Sequence, residues 1–182
     1  MATIGLKPMR AMTSVRFYVL DVASICLLGW AVADSPGTTS RQVEGAMKTI
    51  PYLLFDGNCQ QALEFYHDIF GGELNITTVG ESPMRDGFPI DQHSKVLTAT
   101  LRSPILDVAA SDWLEPTKRP LRGNTIRLYI VGGTVRETGA IFDELSPGAD
   151  VVEEFHDRPF GTYGVLLDRF GIRWMFHSNR VE

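Results

Sequence analysis

Few side chains in this chain are equipped for acid–base chemistry or metal binding, and they are scattered. The four histidines are His67, His93, His156 and His177. His67 sits beside Tyr66 inside a helical stripe and reads as a solvent-facing residue. His93 falls in a long loop rich in proline and glycine, where a surface role competes with capping a cleft. His156 follows Glu153-Glu154, a trio able to attract a cation without being a built site. His177 closes a strand-like run that begins at Ile172. Side chains alternate across a strand, so Ile172, Trp174 and Phe176 share one face, and Arg173, Met175 and His177 share the other. Trp174 and Phe176 read as core against helices, and His177 as either a frayed strand end or a functional group. Arg127 is an isolated charge in an apolar run. It suits an ion pair at a sheet edge or, alternatively, contact with an anion.

Motifs that would organise stronger chemistry are missing. The chain has no Cys-x-x-Cys, no His-x-x-x-His and no Gly-x-Gly-x-x-Gly. Its two cysteines, Cys26 and Cys59, make no disulfide framework. Gly71-Gly72 and Gly132-Gly133 read as turn punctuation rather than phosphate loops. The length of 182 residues suits one domain with a substantial core, and 44% hydrophobic with 21% charged residues is the balance of a globular protein. The net charge is −5, with the acid excess mostly beyond Met47, and no basic stripe is present. Nucleic acid is therefore not an expected partner.

Residues 1–46 stand apart. The apolar run Val22–Ala33 is shorter than the roughly twenty residues of a membrane span, so no membrane partner is expected. The segment reads as an upstream extension with Met47 as the natural start, as a targeting peptide cleaved after Ala31-Val32-Ala33, or as an extra structured element. Residues 34–45 have linker composition. The expected location is cytoplasmic, or exported if residues 1–33 are a signal peptide.

The remaining chain must supply the elements that position the chemistry. Ile50–Phe55 predicts a strand, broken by Asp56-Gly57-Asn58. Asn58 as N-cap with Gln61 at capping-box spacing predicts a helix, whose stripe is Ala62, Leu63, Tyr66, Ile69 and Phe70, with Gly71 ending it. Glu73–Val79 is a strand, residues 80–93 a loop, and Lys95–Arg102 with Ile105–Ala110 a hairpin. The order then repeats about 75 residues later. Thr125–Val131 is a strand, and a helix capped by Thr134 with Glu137 carries Ile141, Phe142 and Leu145. Ala149–Glu154 follows as a strand, and Gly161–Leu167 with Ile172–His177 forms a last hairpin. Neither half can bury both its helix stripe and its sheet face alone, so the halves are expected to pair.

Three stretches of the chain resemble a known family. They are Pro51-Tyr52-Leu53-Leu54-Phe55-Asp56-Gly57-Asn58-Cys59 with the helix through Gly71-Gly72-Glu73; Val108-Ala109-Ala110-Ser111-Asp112; and Phe160-Gly161-Thr162-Tyr163-Gly164 with Asp168-Arg169-Phe170-Gly171-Ile172-Arg173-Trp174-Met175. Together they are similar to the PhnB-like branch of the glyoxalase/bleomycin-resistance/dioxygenase, or vicinal-oxygen-chelate, superfamily. The resemblance implies an α+β fold over residues 47–182, with two βαβββ modules (about 47–113 and 124–178) forming a curved mixed sheet around a concave cleft. It also implies a homodimer and a small-molecule ligand. A methyltransferase label found in some relatives finds no glycine-rich loop here after the first strand.

Metal-using members hold a divalent ion on His, Gln and Glu from four strands. By that pattern the ligand positions fall near Pro51, Ile126 and Met175, with Thr98 where a third-strand His is common and Asp107 near the acidic position. Only Asp107 is a competent ligand, so no metal or other cofactor is expected, a divalent ion being the alternative. If Met175 marks the cleft, Arg173 and His177 face it too, and Arg173 could hold an anionic or carbonyl group. The expected ligand-binding set is Thr98, Asp107, Arg127, Arg173, Met175 and His177. The expected function is metal-free binding of a small organic molecule. The alternatives are a metal-dependent lyase, isomerase or dioxygenase, and a resistance protein that sequesters an antibiotic.

Overall fold

The computed structural model describes residues 47–115, 118 and 120–179. The readings of residues 1–46, and Cys26 with them, lie outside the described residues. Among the described residues, eight strands and two α-helices follow one another in the expected repeated order, with two short 3-10 turns, Arg85–Gly87 and Ile90–Gln92, in the loop after the second strand. The first half contains β1 (Tyr52–Phe55), α1 (Cys59–Phe70), β2 (Glu73–Thr78), β3 (Val96–Arg102) and β4 (Asp107–Asp112). The second contains β5 (Leu128–Val131), α2 (Val135–Leu145), β6 (Asp150–Arg158), β7 (Gly161–Leu167) and β8 (Arg173–Ser178).

The strands divide into two four-stranded mixed sheets with identical logic, ordered β1-β4-β3-β2 and β5-β8-β7-β6. In each, the first strand pairs parallel with the last and the other contacts are antiparallel. A parallel pair needs a long crossover, which the helix and two intervening strands supply.

The helix sides of both sheets join in one core. Phe55, Leu63, Tyr66 and Leu101 of the first half cluster with Phe142, Leu166, Trp174 and Phe176 of the second. Burying aromatic and aliphatic side chains of this size stabilises by about 1.5–3 kcal/mol each. The Tyr66 ring meets Trp174 edge-on at 5.5 Å, and Phe70 stacks on Trp174 at 5.5 Å. Beneath the aromatics lies Asp168, whose Oδ2 accepts from the Tyr66 hydroxyl (2.5 Å) and from Trp174 Nε1 (2.8 Å). Its Oδ1 accepts from the backbone N–H of Phe170 and of Ile172, which shapes the turn between β7 and β8.

Three local details differ from expectation. α1 begins where predicted, but Asn58 makes no side-chain cap. The buried carboxylate of Asp112, arriving from β4, takes its place: Oδ1 accepts from Cys59 N and Oδ2 from Val96 N. A buried acid fixed by the sheet offers a stronger acceptor to the helix N-terminus than a neutral local side chain. α2, by contrast, has the full predicted capping box between Thr134 and Glu137. β5 starts only at Leu128, so Arg127 precedes the strand rather than interrupting it. β6 runs on to Arg158, which places His156 within a strand instead of a loop.

Gly72 follows α1 at φ +92°, where an added Cβ would lie 2.1 Å from the carbonyl oxygen of Arg102. The chain can pass β3 so closely only because glycine stands there.

Candidate functional site

Each sheet has a core face and an open face, and β8 shows the division most clearly. Trp174, Phe176 and Ser178 are buried while Arg173, Met175 and His177 are half-buried on the opposite side. Strand register extends this face sideways. Tyr129 lies beside Met175 and Val131 beside His177 on one flank. Tyr163, Val165 and Leu167 lie beside His177, Met175 and Arg173 on the other. Tyr129 and Val131, on the edge strand β5, are 48% and 63% exposed whereas Val165 is buried, so this face is apolar and opens to solvent along its β5 edge.

His177 is ordered by its surroundings. Its Nε2 donates to the carbonyl of Phe160 at 2.9 Å. The Phe160 ring packs tilted against the imidazole at 6.1 Å and edge-on to Tyr163 at 5.8 Å. β8 continues one residue past it, so His177 is no frayed end.

Among the described residues, Arg127 pairs with no acid at a sheet edge. Of the arginines described, Arg85 and Arg158 pair with Asp86 and Glu153, Arg122 donates to the carbonyl of Phe170, and Arg169 lies over the Phe65 ring. Arg102 and Arg136 also have partners. Among the described residues, Arg127 and Arg173 are the two arginines with no hydrogen bond, ion pair or ring contact.

Thr98 and Asp107 belong to the other sheet. Thr98 sits on β3 opposite Thr77, and Asp107 lies opposite Arg102, four residues further along β3. That separation is roughly 13 Å at strand rise, so the two do not form one site. Lys48 Nζ donates to Oδ2 of Asp107, the one acid in the expected set, at 2.5 Å, while Oδ1 has no hydrogen-bond partner. The structure thus brings Arg173, Met175 and His177 together on one face, with Arg127 at its edge. It leaves Thr98 and Asp107 apart from them.

Two of the other histidines, His93 and His156, contact nearby backbone carbonyls. His93 Nε2 donates to the carbonyls of Arg85 and Phe88, tying together the loop after β2. His156 is exposed, with Nδ1 at 2.6 Å from the Glu154 carbonyl. Two groups displaced from ordinary titration lie in the core. Burial and the neighbouring Asp168 push the Tyr66 hydroxyl well above the usual range, and burial followed by Asp112 pushes up the Cys59 thiol.

Tyr129 and Val131 went unremarked in the sequence. Their place on the face depends on pairing with β8, and only the alternation of Tyr129, Ile130 and Val131 hinted at it.

With the paired βαβββ modules in place, comparison with known proteins decides the family. The sequence profile described as Glyoxalase/Bleomycin resistance protein/Dioxygenase superfamily matches residues 49–176. The chain belongs to this superfamily. Protein YjdN of Escherichia coli (strain K12) is 26% identical over 141 residues, covering 72% of this chain and 95% of that protein. The crystal structure of PA1353 from Pseudomonas aeruginosa superposes with a TM-score of 0.67 at 27% identity, covering 75% of this chain and all of that one (100%). The PhnB protein from Bacillus cereus shares the fold, with a TM-score of 0.58 at 19% identity over 72% of this chain and 99% of its own.

A metal centre of the superfamily type does not fit the residues present. Pro51 and Ile126 are exposed, Met175 and Thr98 offer no imidazole or carboxylate, and Asp107 is held by Lys48. Among the described residues, no three His, Cys, Asp or Glu side chains converge where they could hold an ion. No described helix is long and apolar enough to cross a membrane.

Proposed function

We propose that this PhnB-like domain binds a small organic molecule on the open face of its second sheet, without a catalytic metal, as a homodimer. The reading is carried by the side chains at the superfamily's ligand positions. Proline, isoleucine, threonine and methionine cannot bind a hard divalent ion through imidazole or carboxylate, and the remaining acid is neutralised by Lys48. What this face offers a ligand is an apolar strip bordered by a few polar groups, the usual composition of a small-molecule site.

A second copy is the natural cover for the open faces. Leu54 on the first sheet and Val131 at the edge of the second leave apolar side chains 37% and 63% exposed. Covering such surface drives association.

Elemental analysis of the purified full-length protein, combined with light scattering on a sizing column, tests both parts. Metal far below one ion per chain and the mass of a dimer are expected. Stoichiometric Zn, Ni, Mn or Fe, removable with loss of an activity, would overturn the metal-free reading. A monomer at high micromolar concentration would overturn the dimer.

A further inference from the structure

We infer that the ligand of this face is an organic anion with a flat apolar body, its charged head held between Arg173 and Arg127. The inference rests on the open-face binding reading and names the class of molecule it would take.

The argument begins with charge. The chain carries 22 acidic and 17 basic residues, so an arginine without a partner is conspicuous where acids are plentiful. Six of the eight described arginines are engaged, and the two that are not stand where neighbouring strands begin, Arg173 as the first residue of β8 and Arg127 just before β5. Arg173 opens β8, and Leu128 is in register with Trp174. Carrying that register back one residue sets Arg127 level with Arg173. Asp150 is opposite Leu167, which is itself opposite Arg173. Asp150 is therefore two strands away from Arg173, about 10 Å between backbones at strand spacing, and the two side chains form no ion pair in the structure.

Two guanidiniums brought side by side from these level positions would repel each other, and their ten N–H donors are directional. A carboxylate or sulfonate between them relieves the repulsion and accepts several charge-assisted hydrogen bonds.

The second half of the argument is the surface beyond the charges. Met175 and Tyr129 lie two residues further along β8 and β5 than Arg173 and Arg127, roughly 6.6 Å at strand rise. A ring joined directly to an anionic group spans that distance. It would rest on the Tyr129 ring and the Met175 thioether, both suited to aromatic contact. A cationic ligand would meet like charge at the same place.

Titration of the full-length protein with 2-naphthoate, 2-naphthalenemethanol and 2-naphthylmethylammonium separates the possibilities. The anion should bind about tenfold more tightly than the alcohol, the scale of one charge-assisted hydrogen bond near solvent, and the ammonium weakest. Arg173→Gln and Arg127→Gln should each remove most of the anion's advantage while leaving the alcohol unchanged. Tyr129→Ala should weaken both, locating the ring. Equal binding of anion and alcohol, anion binding unchanged in both arginine variants, or a preference for the ammonium would overturn the inference and leave the open-face binding reading standing. Binding by none of the three probes would overturn both.

Discussion

The Tyr66 hydroxyl donates to the carboxylate of Asp168 across 102 residues of sequence, at 2.5 Å and in full burial. One partner comes from α1 of the first module and the other from the β7–β8 turn of the second, so this bond spans the junction on which the paired-module core depends. Tyr66→Phe removes the donor while Asp168 keeps Trp174 Nε1 and two backbone N–H groups. The expected loss is about 1.5–3 kcal/mol, as for a buried hydrogen bond to a charged group, measured by urea unfolding.

The same bond gives a pH signature. Burial, then Asp168, raises the Tyr66 pKa in the folded state well above its unfolded value. A raised folded pKa means that the contribution is full below the unfolded pKa of about 10 and declines as pH rises beyond it. Between pH 8 and 11 the parent protein should lose more stability than Tyr66→Phe. Parallel slopes would show that Tyr66 does not supply the alkaline limb.

Gly72→Ala should be among the most damaging single substitutions. The methyl would overlap the Arg102 carbonyl, and the backbone sits at φ +92°. The expected cost is at least ~3 kcal/mol, combining positive-φ strain with a backbone clash. Gly57→Ala, at φ +89° with nothing within 4 Å, should cost only about 1 kcal/mol. Thermal unfolding of the pair separates steric from conformational causes.

The Cys59 thiol should be inert in the native state. It is fully buried, and burial followed by Asp112 raises its pKa, which leaves almost no thiolate to react. In a Cys26→Ala background, modification by iodoacetamide at pH 8 should wait for unfolding in guanidinium. Rapid native-state labelling would contradict the packing around α1.

The start of α1 also marks where local sequence reasoning stopped being sufficient. Asn58 and Gln61 have the spacing of a capping box, yet the acceptor at Cys59 N is Asp112, 53 residues away. Asp112→Ala should cost about 3 kcal/mol, because two buried N–H groups lose their acceptor, whereas Gln61→Ala should stay within ~0.5 kcal/mol. A reversed order in denaturant midpoints would restore the local cap.

Most of the architecture was legible because it is written in short-range chemistry. Helix stripes at three- and four-residue spacing, alternation along strands, and glycines at turns act within a few residues. Element order, the repeat, the α2 capping box and the burial of Trp174 and Phe176 follow from them. Of the candidate site, only the shared face of Arg173, Met175 and His177 along β8 was legible, through strand alternation. Which residues flank them depends on strand pairing, and so Tyr129 and the strand-edge place of Arg127 emerge only in three dimensions. The Lys48–Asp107 ion pair joins residues 59 apart, and nothing local in either segment announces it.

β8 carries two vocabularies on alternate letters. Trp174, Phe176 and Ser178 are committed to the interior, and altering them endangers the whole chain. Arg173, Met175 and His177 bear little of that duty. A lineage can therefore rewrite every second residue of this strand while its scaffold endures unchanged.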